Sequence, residues 1–485
     1  MLDLLAVLLA LGLLMYLAFR GVSLLLLAPG TALLAVLLTG GLPILAAYTQ
    51  VFMSNAGQFI IAFFPLFMLG AIFGKLMDDT GSARSVARSV SAWLGPKRAI
   101  ASVVLCCAVL TYGGVSAFVV AFAIMPVAAA LFRDADIPKR LIPGALALGA
   151  FSFTMSALPG TPAIQNAIPM PFFGTTAFAA PGLGILAALI MFAFGLFWLE
   201  RRAASARAAG EGYGAHADSL PVPDVVMREH AAQTSEFDVA ELPEEPRGDE
   251  GMPAFWLAVL PVIVVIVCNF VFVQFVVPRW DTSFLAYPLF GETSIEAVRG
   301  VWAVIVGLFI AILLLIGGNW KRITDLRSSL DKGADASVLP IFNTASLVGF
   351  GAVIAALPVF ALISDAVLQL SGGNPLISVA SSVAVLSAMT GSASGGMSIA
   401  LDALGPTLVQ MAQDAGVSLD AMHRVTAVAS GALDALPHNG AVITLLAVCQ
   451  LTHKDSYLDV LMASVVGPMI ALVVLIAVAS LFGAF

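Results

Sequence analysis

The sequence predicts an all-α polytopic membrane protein made of two inverted repeats of five transmembrane segments, each with a re-entrant hairpin and a broken helix. Apolar runs of membrane-crossing length recur along the whole chain, and two Gly- or Pro-interrupted stretches of one half return in the other half at a constant spacing. The chain has 485 residues, of which 60% are hydrophobic and only 11% are charged. In a soluble protein about a quarter of the residues are charged.

Ten segments are predicted to cross the bilayer, because each is dominated by apolar residues and has roughly the 20 residues that a crossing needs. They are 2–19, 21–40, 56–76, 141–170, 181–199, 254–277, 298–317, 340–370, 425–449 and 457–483. The first has no basic residues before its apolar part, so we expect a membrane helix rather than a secretion signal. Residues 99–131 and 375–411 are interrupted near their middles by small residues, and we expect two hairpins that each enter and leave on one side.

The basic residues predict the orientation of the chain in the membrane. With the two hairpins placed as above, 19 of the 22 lysines and arginines fall on one side, and Arg279, Arg299 and Arg424 fall on the other. Cytoplasmic loops carry the excess of basic residues in membrane proteins. The prediction is a multi-pass protein of the cytoplasmic (inner) membrane with both termini on the outer, periplasmic or extracellular, side.

One long polar segment, 201–252, separates the predicted repeats 1–200 and 253–485. It contains the Pro-rich acidic run "ELPEEPRGDEG", a composition typical of disordered chain, and we expect a flexible cytoplasmic linker. The stretch "SARSVARSVSAWLG" at 82–95 has one apolar and one basic helical face. That pattern predicts a helix lying on the membrane surface.

The two halves are related by a constant offset. "TYGGVSAF" at 111–118 corresponds to "MTGSASGG" at 389–396, and "SALPGTPAIQ" at 156–165 corresponds to "DALPHNGAVI" at 434–443; both offsets are 278 residues. Because each half has five crossings, an odd number, the second half is inverted relative to the first. Inverted repeats with paired Gly- or Pro-interrupted segments are typical of secondary transporters.

The interrupted segments predict a ligand pocket. Proline removes a backbone N–H and breaks a helix, and a membrane interior tolerates such backbone only where it lines a cavity or is buried in protein. We therefore expect the tips of both hairpins and both broken helices, 141–170 and 425–449, to meet in a pocket for a small anion, since helix N-termini favour anions. The predicted substrate-binding residues are Gly113, Gly114, Ser116, Gly160, Thr161, Gly391, Ser392, Ser394, His438, Asn439 and Gly440. Close helix packing is the alternative role of such small residues.

Asp434 and His438 stand where the first half has Ser156 and Gly160, so symmetric packing does not explain them. Ionisable groups at membrane depth are costly, and histidine titrates near physiological pH. We predict that Asp434 and His438 carry a coupling proton, with Asp402 after the second hairpin tip as a further candidate. The alternative for Asp434 is that it only accepts hydrogen bonds at the break. The alternatives for Asp402 are a position near the outer water interface and a hydrogen-bonded acid inside the bundle.

The chain lacks the sequence motifs that are typical of several other classes of protein. The chain contains no G-x-x-x-x-G-K-[ST] phosphate-binding motif and no H-E-x-x-H zinc motif. Its four cysteines lie in apolar stretches without metal-ligand spacing, and its net charge of −8 offers no basic surface for nucleic acid. We expect no cofactor, no metal site and no enzymatic activity; an intramembrane enzyme and a channel remain as alternatives.

The stretch "SGALDALPHNGAVITLLAVCQLTHKDSY" at 430–457 resembles the gluconate permease family of the ion transporter superfamily, and within it the branch of D-β-hydroxybutyrate permeases. The resemblance extends over most of the chain outside 201–252. It implies proton-coupled symport of a small organic hydroxycarboxylate such as 3-hydroxybutyrate or gluconate. It also implies a homodimer in which an elevator-type domain carries both hairpins and both broken helices. A sodium-coupled carboxylate symporter of the same architecture is the nearest alternative.

Overall fold

The computed structural model describes residues 2–216, 220–233, 238–239, 251–360 and 372–485. Within these ranges every regular element is a helix and no strand occurs. The predicted all-α, polytopic class is therefore confirmed. The arrangement as two inverted repeats and the division of the chain into 1–200, 201–252 and 253–485 stay predictions, and the end of the predicted crossing 340–370 lies outside the described residues.

The helices of the described chain are numbered here in sequence order. Those of eight or more residues are α1 (Leu2–Phe19), α2 (Leu24–Thr39), α3 (Met53–Asp79), α4 (Ser82–Leu94), α5 (Ala99–Tyr112), α6 (Ala117–Asp134), α7 (Ile142–Ala150), α8 (Pro181–Ala208), α9 (Val225–Ala232), α10 (Phe255–Val271), α11 (Ile295–Asn319), α12 (Leu326–Asp335), α13 (Val338–Ala356), α14 (Pro375–Thr390), α15 (Ala393–Asp414), α16 (Leu419–Ser430), α17 (Gly440–Val448), α18 (His453–Leu461) and α19 (Gly467–Phe482). Three short helical pieces, Phe153–Ser156, Ile164–Ala167 and Pro169–Phe173, lie between α7 and α8.

Seven helical stretches of the described chain, some of which join consecutive helices of the list above, are long and apolar enough to cross a membrane, judged by length and composition alone. They are Ile44–Asp79, Ala117–Asp134, Pro181–Ala208, Phe255–Arg279, Ile295–Asn319, Leu326–Ala356 and His453–Phe482. Shorter apolar helices of 10–17 residues cover Asp3–Phe19, Leu24–Thr39, Ala99–Tyr112 and Pro375–Thr390. Large apolar side chains such as Leu45, Ile61 and Leu26 are more than two-thirds exposed, as expected of a surface that contacts lipid.

Two pairs of antiparallel helices occupy the predicted hairpins. Helices α5 and α6 pack against each other and meet at a tip where Gly114 has a φ of +93°, and α14 and α15 do the same at Gly391, with a φ of +63°. Glycine suits both turns because side-chain-bearing residues avoid positive φ. At the second tip the Ser392 hydroxyl caps α15 by accepting a hydrogen bond from the N–H of Gly395.

A charged cluster ties α18 to α8 and to the turn at Lys139–Leu141 that precedes α7. The buried carboxylate of Asp459 accepts hydrogen bonds from Trp198 Nε1 at 2.9 Å and Arg202 Nε at 3.0 Å, and it lies 3.5 Å from Arg140 NH1. Arg140 also makes two parallel hydrogen bonds to Glu211, at 2.7 and 2.8 Å. Hydrogen bonding to Arg140 holds the pKa of Glu211 below its ordinary value.

We expect the two acids to differ in their contribution to stability. Asp459→Asn leaves cations beside a weaker acceptor in a buried place and should destabilise the fold by about 3 kcal/mol. Glu211 is 42% exposed, so Glu211→Gln should cost no more than about 1 kcal/mol. Folding lowers the pKa of Glu211. The stabilisation by its carboxylate is therefore present above the unfolded-state pKa and is lost as the pH falls through the folded-state pKa. Thermal unfolding of the purified variants at neutral and acidic pH measures both effects, and equal losses would contradict the assignment.

Candidate functional site

The second break, residues 431–439, separates α16 from α17 and is joined to the second hairpin tip by Asn439. The Asn439 side chain is fully buried. Its Oδ1 accepts hydrogen bonds from the N–H groups of Ala441 and Val442, at 2.6 and 3.2 Å, so it caps α17. Its Nδ2 donates to the carbonyl of Gly391 at 2.8 Å. One side chain thus fixes both the restart of the helix and the position of the tip.

His438 makes a second connection between the same two elements. Its Nε2 lies 2.9 Å from the carbonyl oxygen of Ala388, which can only accept, so this nitrogen carries the proton of the hydrogen bond. A Cβ added to Gly391 would stand 3.4 Å from the ring. Two adjacent residues of the break therefore hold the tip of the α14–α15 hairpin.

Asp434 lies at the other end of the second break and lines a small cavity. Its Oδ1 is buried and has no hydrogen-bond partner among the described residues, and the same is true of the Ser464 hydroxyl in that cavity. Phe151 and Asn439 line the cavity as well. No ion pair joins Asp434 to His438 in the described structure, so the two predicted coupling groups face different partners. A buried carboxyl oxygen without a donor is costly unless it holds a proton or meets a ligand.

The first break, residues 157–163, is joined to the first hairpin tip in a similar way. The Tyr112 hydroxyl, at the end of α5, donates to the carbonyl of Pro159 at 2.7 Å. Gly114 is so close to Pro162 that a Cβ at this position would lie 2.6 Å from its ring. Thr161 is fully buried, and the N–H of Gly160 donates to Ala177 at 2.8 Å. Gly113 faces the side chain of Val262 on α10.

The two breaks touch each other, so the two groups of predicted site residues, one around each break, adjoin. A Cβ at Gly431 in the second break would lie 3.5 Å from the Ser156 hydroxyl at the edge of the first break. Asp402 is not part of this cluster. Its side chain is exposed on α15, about 15 Å along the helix from Ser392 at 1.5 Å per residue.

Arg424 is a central residue that the sequence analysis placed only on the outer side. It is fully buried on α16. Its guanidinium donates to the carbonyls of Ala177, Ala179 and Ser156 at 2.8–3.4 Å and to Asn166 Oδ1 at 3.1 Å. These contacts use the donor capacity of the group. Arg424 therefore fixes the walls of the first break and does not offer a free charge to an anion.

Its neighbour His423 extends the same network. The ring lies 2.6 Å from the Thr175 hydroxyl through Nδ1 and 3.1 Å from Asn166 Oδ1 through Nε2. In the sequence, a histidine and an arginine next to an apolar run indicate a polar network, because a buried charge in a membrane helix needs partners. The partners, 245 to 268 residues away in the chain, show no such pattern.

Asn343 on α13 is another polar residue that sequence analysis missed. It is fully buried, and neither its Oδ1 nor its Nδ2 has a hydrogen-bond partner within the described ranges. It shares a helix face with Leu347 and Gly351, which pack on Gly395 and Ile399 of α15. Asn343 lies one turn before Leu347 on this face, which places it near the level of the second hairpin tip.

The comparison with known proteins agrees with a membrane transporter. No protein-family model matches the chain. It is 43% identical over 465 residues to a Bacillus subtilis (strain 168) protein described as "Uncharacterized transporter YxjC", and the match covers 94% of this chain and 95% of that protein. The chain therefore belongs to the transporter family that contains YxjC.

Proposed function

We propose that this protein is a proton-coupled symporter of a small organic carboxylate, with hydroxycarboxylates such as 3-hydroxybutyrate or gluconate as the substrate class. One observation carries the proposal: two hairpin tips are held against two adjoining helix breaks, with the unpartnered carboxyl oxygen of Asp434 beside them. We propose a transporter rather than an enzyme, because His438, the histidine of the second break, directs its Nε2 to the Ala388 carbonyl and not to a hydroxyl that could act as a nucleophile.

The second tip is the favoured place for the substrate carboxylate. The hydroxyls of Ser392 and Ser394 are buried and lie 3.4 Å apart, at the limit of a hydrogen bond. The Ser392 oxygen already accepts from Gly395, which leaves the Ser394 hydroxyl as the donor with the weakest partner. The positive N-terminal end of α17 lies next to this tip through Asn439, and it favours a negative ligand.

We further propose that the two breaks and two tips move as one body relative to the remaining helices, in an elevator-type homodimer of two inverted repeats. The hydrogen bonds from Asn439, His438 and Tyr112 support the first part, because each ties a tip to its break. Arg424 supports it as well, since it joins the second half of the chain to the walls of the first break. The dimer and the outward placement of both termini rest on the family resemblance and on the basic-residue bias.

Uptake by purified protein in proteoliposomes tests the coupling. We expect an inward proton gradient to drive accumulation of 3-hydroxybutyrate or gluconate above equilibrium, with protein-free liposomes as the blank. Accumulation driven only by a sodium gradient would replace the proton with sodium and leave the substrate class intact. Flux without accumulation under either gradient would favour a channel and contradict the proposal.

A matched pair of serines tests the binding place. Ser394→Ala should raise KM about tenfold, because a hydrogen bond to a charged group contributes about 1.5 kcal/mol or more. Ser381 lies in the same hairpin, and its hydroxyl donates within its own helix to Ile377, so Ser381→Ala should leave KM unchanged. Equal effects of the two variants on KM would place the substrate elsewhere.

A further inference from the structure

The polar segment 201–252 contains a helix that its composition does not predict. Helix α9, called the linker helix below, begins after Asp224, whose side chain accepts a hydrogen bond from the N–H of Met227 at 2.8 Å. Ala231 and Ala232 at its end are fully buried. A helix of eight residues is too short to be stable alone in water. Its order therefore comes from the surfaces on which it is docked.

One docking surface is the turn between α1 and α2. The side chain of Val226 packs against Gly21, where a Cβ would lie 2.9 Å from Val226 Cγ1. Glu229 lies beside Ser23, and the His230 ring lies beside the backbone of Ala18 and Phe19. These contacts place the linker helix on helices of the first half of the chain.

The other docking surface is the second break. The linker helix packs along α17, and its closest approach is at Gly440, where any Cβ would clash with the carbonyl oxygen of His230. Glycine at this position allows the two backbones to meet. Gly440 directly follows Asn439, the residue that holds the second hairpin tip. The linker helix thus bridges the α1–α2 turn and the part of the candidate site that carries Asp434 and His438.

The end of the linker helix is fastened by Asp238. This side chain is buried and forms an ion pair with Arg228 at 2.6 Å, and its backbone N–H donates to the carbonyl of Ala336 at 2.7 Å. The outer face of the helix is open at Val225, which is 75% exposed. One face is therefore fixed by specific contacts while the other faces away from the bundle.

We propose that the linker helix is an autoinhibitory element: when docked it holds the second break against the α1–α2 turn, and transport requires its release. Movement of the second break relative to α1 and α2 would separate Gly440 from Gly21, and a helix touching both opposes that movement. Release converts an eight-residue helix to disordered chain, an order–disorder change of the kind used by many switches. The inference rests on the proposed motion of the breaks relative to the remaining helices but not on the identity of the substrate.

A disulfide tests the docking. Cβ atoms at positions 21 and 226 would be 3.6 Å apart, within the range that a disulfide requires. We expect the double variant Gly21→Cys, Val226→Cys to crosslink on mild oxidation in membranes. The crosslink should lower the initial uptake rate at least about fivefold, which is the lower end of the usual coupling between sites. Reduction of the disulfide should restore the uptake rate. Gly21→Cys alone is the control, because glycine has a φ of +77° here and cysteine is strained. Absence of a crosslink would overturn the docking, and a crosslink without slower uptake would overturn the inhibition.

Replacement of Val225–Ala232 by an eight-residue Gly/Ser sequence tests the release. We expect uptake to rise about fivefold and backbone amides of 440–448 to exchange hydrogen faster. A monodisperse variant with slower uptake would show that the docked helix supports transport, which contradicts the proposal. If no hydroxycarboxylate is carried even by wild type, the proposed function fails; crosslinking and hydrogen exchange still decide the docking, and unchanged exchange at 440–448 would overturn it.

Discussion

Replacing Arg424 with alanine is expected to prevent recovery of stable, folded protein. The guanidinium satisfies buried carbonyls of Ala177, Ala179 and Ser156 together with the Asn166 amide oxygen. Each acceptor left unsatisfied in a buried place costs about 1–3 kcal/mol, so the loss should reach about 4 kcal/mol or more. That is a large fraction of the stability of most proteins.

Two variants separate this role from a general effect of charge. Arg424→Lys keeps the charge but loses the planar group that reaches several acceptors at once, so its stability should be intermediate. Arg279 is exposed, and its NH1 donates to the carbonyl of Phe275 one turn earlier; Arg279→Ala should be as stable as wild type. Thermal unfolding in detergent, followed by the fraction that stays monodisperse, gives the comparison. Wild-type stability of Arg424→Ala would refute the assignment.

The sequence predicts the helical class well because hydropathy and period are local properties. The amphipathic stretch at 82–95 becomes α4, Ser82–Leu94, with Val86 and Val90 buried and Trp93 two-thirds exposed. The interruption between Ser430 and Gly440 coincides with the Pro437 stretch, since proline and glycine act on the backbone where they stand. These features need no knowledge of distant contacts.

The site could be predicted only as a set of positions, because its contacts join residues far apart in the chain. The sequence predicts Asn439 and Gly391 in one pocket, but it does not predict the hydrogen bond between them. The basic-residue pattern predicts Arg424 only as an outer-side charge, and its long-range acceptors show its structural role. Composition does not predict the linker helix either, because its eight residues lie in an acidic, Pro-rich segment and are ordered only by their contacts with the rest of the protein.

Asp434→Asn is expected to separate substrate movement from proton-driven accumulation. Asparagine has nearly the same shape as aspartate, but it has no titratable carboxyl group. The Asp434 Oδ1 is buried without a hydrogen-bond partner among the described residues, in a cavity beside Asn439, and we propose that the coupling proton is taken up and released here. In the variant, exchange of labelled for unlabelled substrate should persist, while accumulation against a gradient should fall to the level of protein-free liposomes.

Asp402→Asn is the matched comparison. The two changes are chemically identical, but Asp402 is exposed and lies about 15 Å along α15 from the second tip. We expect this variant to accumulate substrate with the pH dependence of wild type. The reverse pattern, with accumulation lost only in Asp402→Asn, would move the coupling site to α15.

The competing role for Asp434 is structural, with the carboxylate accepting hydrogen bonds that fix the second break. That role predicts loss of folded protein, and therefore loss of exchange and accumulation together. A monodisperse Asp434→Asn protein that exchanges substrate but does not accumulate it excludes the structural role, because the break must be intact for exchange. Accumulation equal to wild type in Asp434→Asn would refute the coupling role, and the proton path would then have to be sought through His438, whose Nε2 already serves the second tip.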